Sequence, residues 1–307
     1  MEALSFKEKK HMPEFAILLD STCNMVPENL KEFDIDYCLM SVSVGDKVYS
    51  ADLSWPDMSP KEFYDIMRGG TRVYTQLVTE EEYTNKFTKY LKEGKDILYI
   101  ACSSGLSGSV KVAYKVAEKL KEEYPDQKIL ILDSLISGMG QGMMGIRASL
   151  LRKEGKDIEE IYHALEADRL KYNQFATVGS LTYLKNAGRV TAGAAFFGNI
   201  IGIKPIIISD VKGHNYAYKK VRGRKAALAE IADSIVSNCV DPEHHYLCID
   251  NADCMEDAKA IVKMVEDKGV HFERYFLNPL GPILGASCGP DVVIAFFYGK
   301  EVTIEGE

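Results

Sequence analysis

The run Ser103-Ser104-Gly105-Leu106-Ser107-Gly108-Ser109 concentrates hydroxyl groups and permissive backbone between two regular patterns. An apolar strand pattern, Asp96–Cys102, leads into it. A helical pattern from Val110 to Tyr124, with Val112, Val116 and Leu120 at helical spacing, leads out. Glycine lets backbone N–H groups approach a ligand, serine hydroxyls donate hydrogen bonds, and the start of the following helix favours an anion or carboxylate. Ser104, between Ser103 and Gly105, is the side chain expected to face such a ligand. The competing reading is a glycine-rich turn with a serine N-cap.

Acyl-transfer chemistry fits the same loop less well. Gly105-x-Ser107 opens a G-x-S-x-G elbow, but Ser109 stands where the last glycine belongs, and nothing downstream marks a histidine base. A serine hydrolase would need a histidine within hydrogen-bond reach of Ser104 or Ser107, and an acid to orient it. His11, His163, His214, His244, His245 and His271 are scattered, with no H-E-x-x-H. The seven cysteines form neither a C-x-x-C nor a Cys/His set at zinc spacing. No metal site and no catalytic residue is expected, and the cysteines read as free thiols of a reducing compartment.

Gly140-Gln141-Gly142-Met143-Met144-Gly145 matches G-x-G-x-x-G, yet Leu135 to Gly138 separate it from the strand pattern at Lys128–Leu132. A dinucleotide fingerprint closes directly on its strand, so no cofactor is expected. Gly138, Gly142 and Gly145 instead leave a shallow helix face beside Met139 and Met143. Close helix packing is one reading of that face; an adaptable wall of an apolar tunnel, with Met139, Gly142 and Met143, is the other. Two basic turns, Lys185–Val190 and Lys219–Lys225, bring Arg189, Arg222 and Arg224 as a candidate positive rim for an anionic ligand or a partner; solvated turns are the alternative.

The elements that must hold these groups alternate along the first half. Phe15–Leu19, Tyr37–Val44, Asp96–Cys102 and Lys128–Leu132 read as strands. Helices are expected from Ser59 to Met67, from Thr79 to Leu91, over Val110–Tyr124 and up to Leu151. Strands separated by helices imply crossovers and a mainly parallel sheet. After a surface turn at Lys153–Lys156 the pattern changes to α+β. Its helices lie at Ile158–Leu170, Lys225–Ser237 and Met255–Lys268; its strands lie at Lys204–Ser209, Tyr216–Lys220, Tyr246–Asp250, His271–Phe276 and Val292–Phe297. The reading is an α/β protein of two domains, 1–155 and 156–307, with a ligand cleft between them. A net charge of −8 and the lack of a broad basic face argue against nucleic acid. No apolar run is long enough for a membrane span and no signal-peptide pattern opens the chain, so a cytoplasmic location is expected.

Asp20-Ser21-Thr22-Cys23, Ser103–Gly108, Tyr183–Val190, Ile203–Ile206, Lys220–Arg224 and Gly285–Pro290 recur in this order in one known family. In them the chain resembles the DegV family over nearly its whole length. The resemblance implies an N-terminal parallel-sheet α/β domain and a C-terminal α/β domain with a predominantly antiparallel or mixed six-stranded sheet. It also implies a long-chain fatty acid buried in a tunnel. The family's carboxylate contacts fall on Ser104, with Ser103 and Gly105 beside it, on Tyr74 and Thr75, and on Ser287 near Gly285. Tyr74 stands where the family has threonine, Thr75 where it has serine, and Ser287 where it has histidine. In some members the protein presents its fatty acid to a separate ATP-dependent fatty-acid kinase, which makes it a carrier rather than an enzyme. Another amphipathic or acidic small molecule is the alternative ligand.

Overall fold

The structure, a computed structural model, describes residues 14–191 and 202–306. His11 lies outside the described residues. The first half contains, in chain order, β1 (Phe15–Asp20), α1 (Pro27–Phe33), β2 (Asp36–Cys38), β3 (Ser41–Val44), β4 (Lys47–Ser50), α2 (Pro60–Arg68), β5 (Val73–Gln76), α3 (Glu80–Lys92), β6 (Asp96–Ala101), α4 (Ser109–Glu123), β7 (Ile129–Asp133), α5 (Met139–Lys153) and α6 (Ile158–Asp168). The second contains β8 (Tyr172–Thr177), α7 (Leu181–Ala187), β9 (Ile203–Ser209), β10 (Asn215–Arg222), α8 (Arg224–Asn238), β11 (Tyr246–Asn251), α9 (Met255–Glu266), β12 (Arg274–Pro279), α10 (Pro282–Cys288) and β13 (Val293–Tyr298).

β2-β1-β6-β7 form a parallel sheet, as the alternation of strands and helices requires. The single strand expected over Tyr37–Val44 is instead two. Asp36–Cys38 pairs with β1, then the chain turns a corner, and Ser41–Val44 becomes the centre of a small antiparallel sheet, β4-β3-β5. Side chains satisfy the backbone at that corner: Leu39 N–H donates to Glu82 Oε1 at 2.9 Å and Met40 N–H to Ser21 Oγ at 2.9 Å.

The second sheet has six strands in the order β10-β9-β8-β13-β11-β12, antiparallel except for β11 with β12. Its two faces follow the strand period of two. Val293, Ala295 and Phe297 pack under α8 and α9, whereas Ile294 and Phe296 belong to the larger core shared with the first half. α6 packs on α5, β6 and β7, so the chain changes from one sheet to the other at β8.

The glycine-rich helix α5 lies inside that larger core. A Cβ on Gly142 would stand 2.9 Å from Cys23 O, and one on Gly145 3.0 Å from the Leu19 side chain. The glycines let α5 press against β1 and the turn after it. Met139 is fully buried and Met143 is 5% exposed. Met139, Gly142 and Met143 are closely packed and are not among the residues lining the cavity described below.

Candidate ligand-binding site

Loops at the C-terminal ends of β1, β6 and β7 converge on one face of the second sheet, the crevice where open parallel sheets receive ligands. A cavity lies there, with about 750 Å³ of empty space, open solvent included. The first half contributes Thr22, Met40, Thr75, Leu77, Cys102, Leu106, Ser107 and Ser137. The second half contributes Gln174, Ala176 and Val178 of one strand row, Ile207, Ile294, Arg189, Asn215, and residues of α10 including Ile283, Leu284, Ser287 and Cys288. Apolar side chains predominate, and neither half supplies a complete wall.

The serine loop divides its work between domain contact and cavity. Ser103 is fully buried, and its Oγ donates to Gly213 O at 2.8 Å while accepting from Gly105 N–H at 3.1 Å. It therefore ties the loop to the β9–β10 turn. Gly105 is needed at that contact, because a Cβ there would stand 3.0 Å from Lys212 O and 3.1 Å from the Gly213 carbonyl carbon. Ser104 is exposed, its N–H donates to Asp133 Oδ1 at 3.0 Å, and it does not line the cavity. Ser107 does, one helical turn further on. Its Oγ donates to Ser109 Oγ at 3.0 Å. Of the two serines, it is Ser107 that lines the cavity here, while Ser104 lies at the surface.

Period-two alternation also separates the β5 residues. Thr75 lines the cavity, whereas Tyr74 is 53% exposed, with the Arg72 guanidinium 4.6 Å from its ring centre. Tyr74 lines a second, outer depression with Arg72, Tyr183 and Asn186. Thr75, Arg189 and Ser287 line both spaces, which places them where the cavity meets that depression. Ser287 Oγ donates to Ile283 O at 3.2 Å within α10. Gly285 is a packing glycine rather than a cavity residue, since a Cβ on it would lie 2.5 Å from Tyr64 Oη.

Of the three arginines expected at the rim, Arg189 alone lines the cavity; its Nε donates to Leu106 O at 3.3 Å. Arg224 instead holds Asp257 on α9, with Nε and Nη2 at 2.8 and 2.7 Å from Oδ2. Arg222 is exposed at the end of β10 and lines neither space.

No hydrogen bond among the described residues joins a serine of the 103–109 loop to a histidine. His214 packs its ring edge beside Gly105, but its Nδ1 faces Asp210 Oδ1 at 3.6 Å. Among the described residues no group of three His, Cys, Asp or Glu is placed to hold a metal ion. Cys102 and Cys288 line the cavity as free thiols, and burial pushes Cys288 up to about 12, so it presents an uncharged surface.

Buried polar groups brace the cavity from behind. Asp20 accepts from Thr22 N–H at 2.9 Å, Tyr99 Oη at 2.9 Å and Cys102 N–H at 3.1 Å, joining the turn after β1 to the serine loop. Asp250 on β11 accepts from Met139 N–H at 3.1 Å, the first donor of α5, so the second half caps a backbone group of the first. Burial pushes the Asp250 carboxyl up to about 8, and its Oδ1 has no partner among the described residues. Gln174, Ser137 and Asn215 were not singled out from the sequence. The pattern Gln174, Ala176, Val178 carries the strand period, but two polar residues, Asn173 and Gln174, sit at its start and mask it.

A parallel sheet and a mixed six-stranded sheet with a cavity between them define a two-domain α/β protein. Residues 14–300 match the family model described as "Uncharacterised protein, DegV family", and the chain belongs to the DegV family. It is 31% identical over 288 residues to a DegV domain-containing protein of Clostridium perfringens, covering 94% of this chain and 98% of the relative. A DegV family protein from Thermus thermophilus described as binding fatty acid superposes with a TM-score of 0.85 at 22% identity, covering 94% of this chain and 100% of that one. A stearic acid-binding protein from Eubacterium ventriosum gives a TM-score of 0.81 at 24% identity, covering 92% and 98%. Among the described residues no helix is long and apolar enough to cross a membrane.

Proposed function

We propose that this protein is a carrier that holds a long-chain fatty acid between its domains. The acyl chain occupies the cavity as a tunnel, and the carboxylate lies at the end marked by Thr75, Arg189, Ser287 and Ser107. The observation that carries this reading is the cavity itself: a mostly apolar lining drawn from both halves, with hydroxyls and one guanidinium where it meets the outer depression. Fatty-acid binding described for the Thermus thermophilus and Eubacterium ventriosum proteins supports the ligand class. Each enclosed methylene contributes about 0.8 kcal/mol before ordering costs, so the chain dominates affinity and the head group sets orientation.

The outer depression supports a second part of the reading, that the carboxylate end is the part offered to a separate ATP-dependent fatty-acid kinase. Extraction of the purified protein into organic solvent, followed by mass spectrometry, is expected to release fatty acid in near-stoichiometric amount. Calorimetry with saturated acids of increasing length should then show affinity rising until the cavity is filled. Affinity independent of length, with tight binding of a short polar acid, would overturn the carrier reading and favour an acidic metabolite.

A further inference from the structure

Two buried polar side chains, Ser137 and Gln174, line the cavity with hydrogen-bonding capacity that the fold leaves unused. Ser137 is 5% exposed, and its hydroxyl has no hydrogen-bond partner among the described residues. Gln174, also 5% exposed, donates from Nε2 to Asn215 Oδ1 at 2.9 Å. Asn215 in turn donates from Nδ2 to Arg189 O at 3.1 Å, which fixes its amide orientation and obliges Gln174 to offer nitrogen to it. Gln174 Oε1 is thereby left with no donor among the described residues.

Gln174 and the residue that follows Ser137 both meet the same aromatic ring. Gln174 is paired with Phe296 across the β8–β13 ladder, so both side chains leave the sheet on the same face. Gly138, the residue after Ser137, closes on that ring so tightly that a Cβ would stand 2.6 Å from Phe296 Cζ. Ala176, Ile207 and Ile294 make the surrounding wall apolar. A plain hydrocarbon chain lying there would leave an acceptor and a hydroxyl buried and unpaired, which is costly. A hydroxyl on the chain answers both, donating to Gln174 Oε1 and accepting from Ser137 Oγ. A ketone can only accept, and a carbon–carbon double bond does neither.

We propose that the cavity selects a fatty acid carrying a hydroxyl group on its acyl chain, held between Ser137 and Gln174. This rests on the fatty-acid reading above. The test compares octadecanoic acid with its monohydroxy isomers, the hydroxyl moved carbon by carbon, against delipidated protein by competition calorimetry. One or a few neighbouring isomers should bind about three- to tenfold more tightly than the parent acid. Gln174→Met and Ser137→Ala should each bring the ratio of hydroxy-acid to parent-acid affinity down to about one. If no isomer exceeds the parent in the wild-type protein, the hydroxyl site is overturned while the carrier reading stands, and this result needs no variant to fold. Variants that weaken parent and hydroxy acid alike would also overturn it. Failure of the wild-type protein to bind any of these acids would overturn the carrier reading and the hydroxyl site together.

Discussion

Ser104 and Ser107 are separated by one turn of backbone and by the whole thickness of the cavity wall. Ser107→Ala is expected to weaken fatty-acid binding by about 0.5–1.5 kcal/mol, the worth of one net hydrogen bond, whereas Ser104→Ala should leave calorimetric affinity unchanged. Both serines were visible as one polar loop, because glycine, serine and the strand-to-helix transition are local signals. Which serine turns inward was not, since it depends on Asp133 taking the Ser104 N–H and on Gly213 taking Ser103. Asp250 allows a second test at this scale. Folded, it keeps its proton up to about pH 8, whereas an unburied aspartate loses it near pH 3.8, so the folded state binds more protons between these values. Stability from this group is therefore greatest at low pH and falls as pH rises through the window. Chemical denaturation from pH 5 to pH 8 should show that decline in the wild-type protein and a flatter profile in Asp250→Asn.

Elements built from strong local periodicity are the ones the sequence announces. β1, β6, β7, α3, α4, α8 and α9 lie close to their expected positions, because a run such as Phe15–Leu19 or the spacing Val112, Val116, Leu120 specifies burial without knowledge of partners. The small sheet β4-β3-β5 was hidden for the opposite reason: β3 continues the apolar alternation of β2, and only the corner at Leu39 and Met40 tells the two apart. β8 was hidden by Asn173 and Gln174, which are buried because Asn173 Nδ2 donates to Lys300 O at 2.8 Å and Gln174 meets Asn215. The helix α5 gives the element-scale prediction. Gly142→Ala places a methyl 2.9 Å from a backbone carbonyl that cannot step aside, and should destabilise the protein by about 1–3 kcal/mol in urea unfolding. Because α5 forms no cavity wall, the substitution should lower stability more than ligand affinity of the folded variant.

Ion pairs at the edges join the two halves around the cavity. Arg68 on α2 reaches Asp253 at 2.6 Å and Asp291 at 2.8 Å, and Arg274 on β12 reaches Glu32 on α1 at 2.6 and 3.0 Å. These side chains are part-exposed, so the pairs add little to global stability. Their removal should act on opening instead: Arg68→Ala combined with Arg274→Ala is expected to speed ligand release in stopped-flow displacement. Raising ionic strength should speed release from the wild-type protein and leave the double variant nearly unchanged. The shared wall has a thermal corollary. With cargo aboard, each half gains a partner for its bare apolar face, and linkage predicts about 2.7 kcal/mol of extra resistance to unfolding when free lipid exceeds its dissociation constant a hundredfold. A stripped chain should melt earlier and be digested faster by a protease. On the proposed carrier function, the lifetime of this protein in a starved cell would then register how much lipid is left to carry.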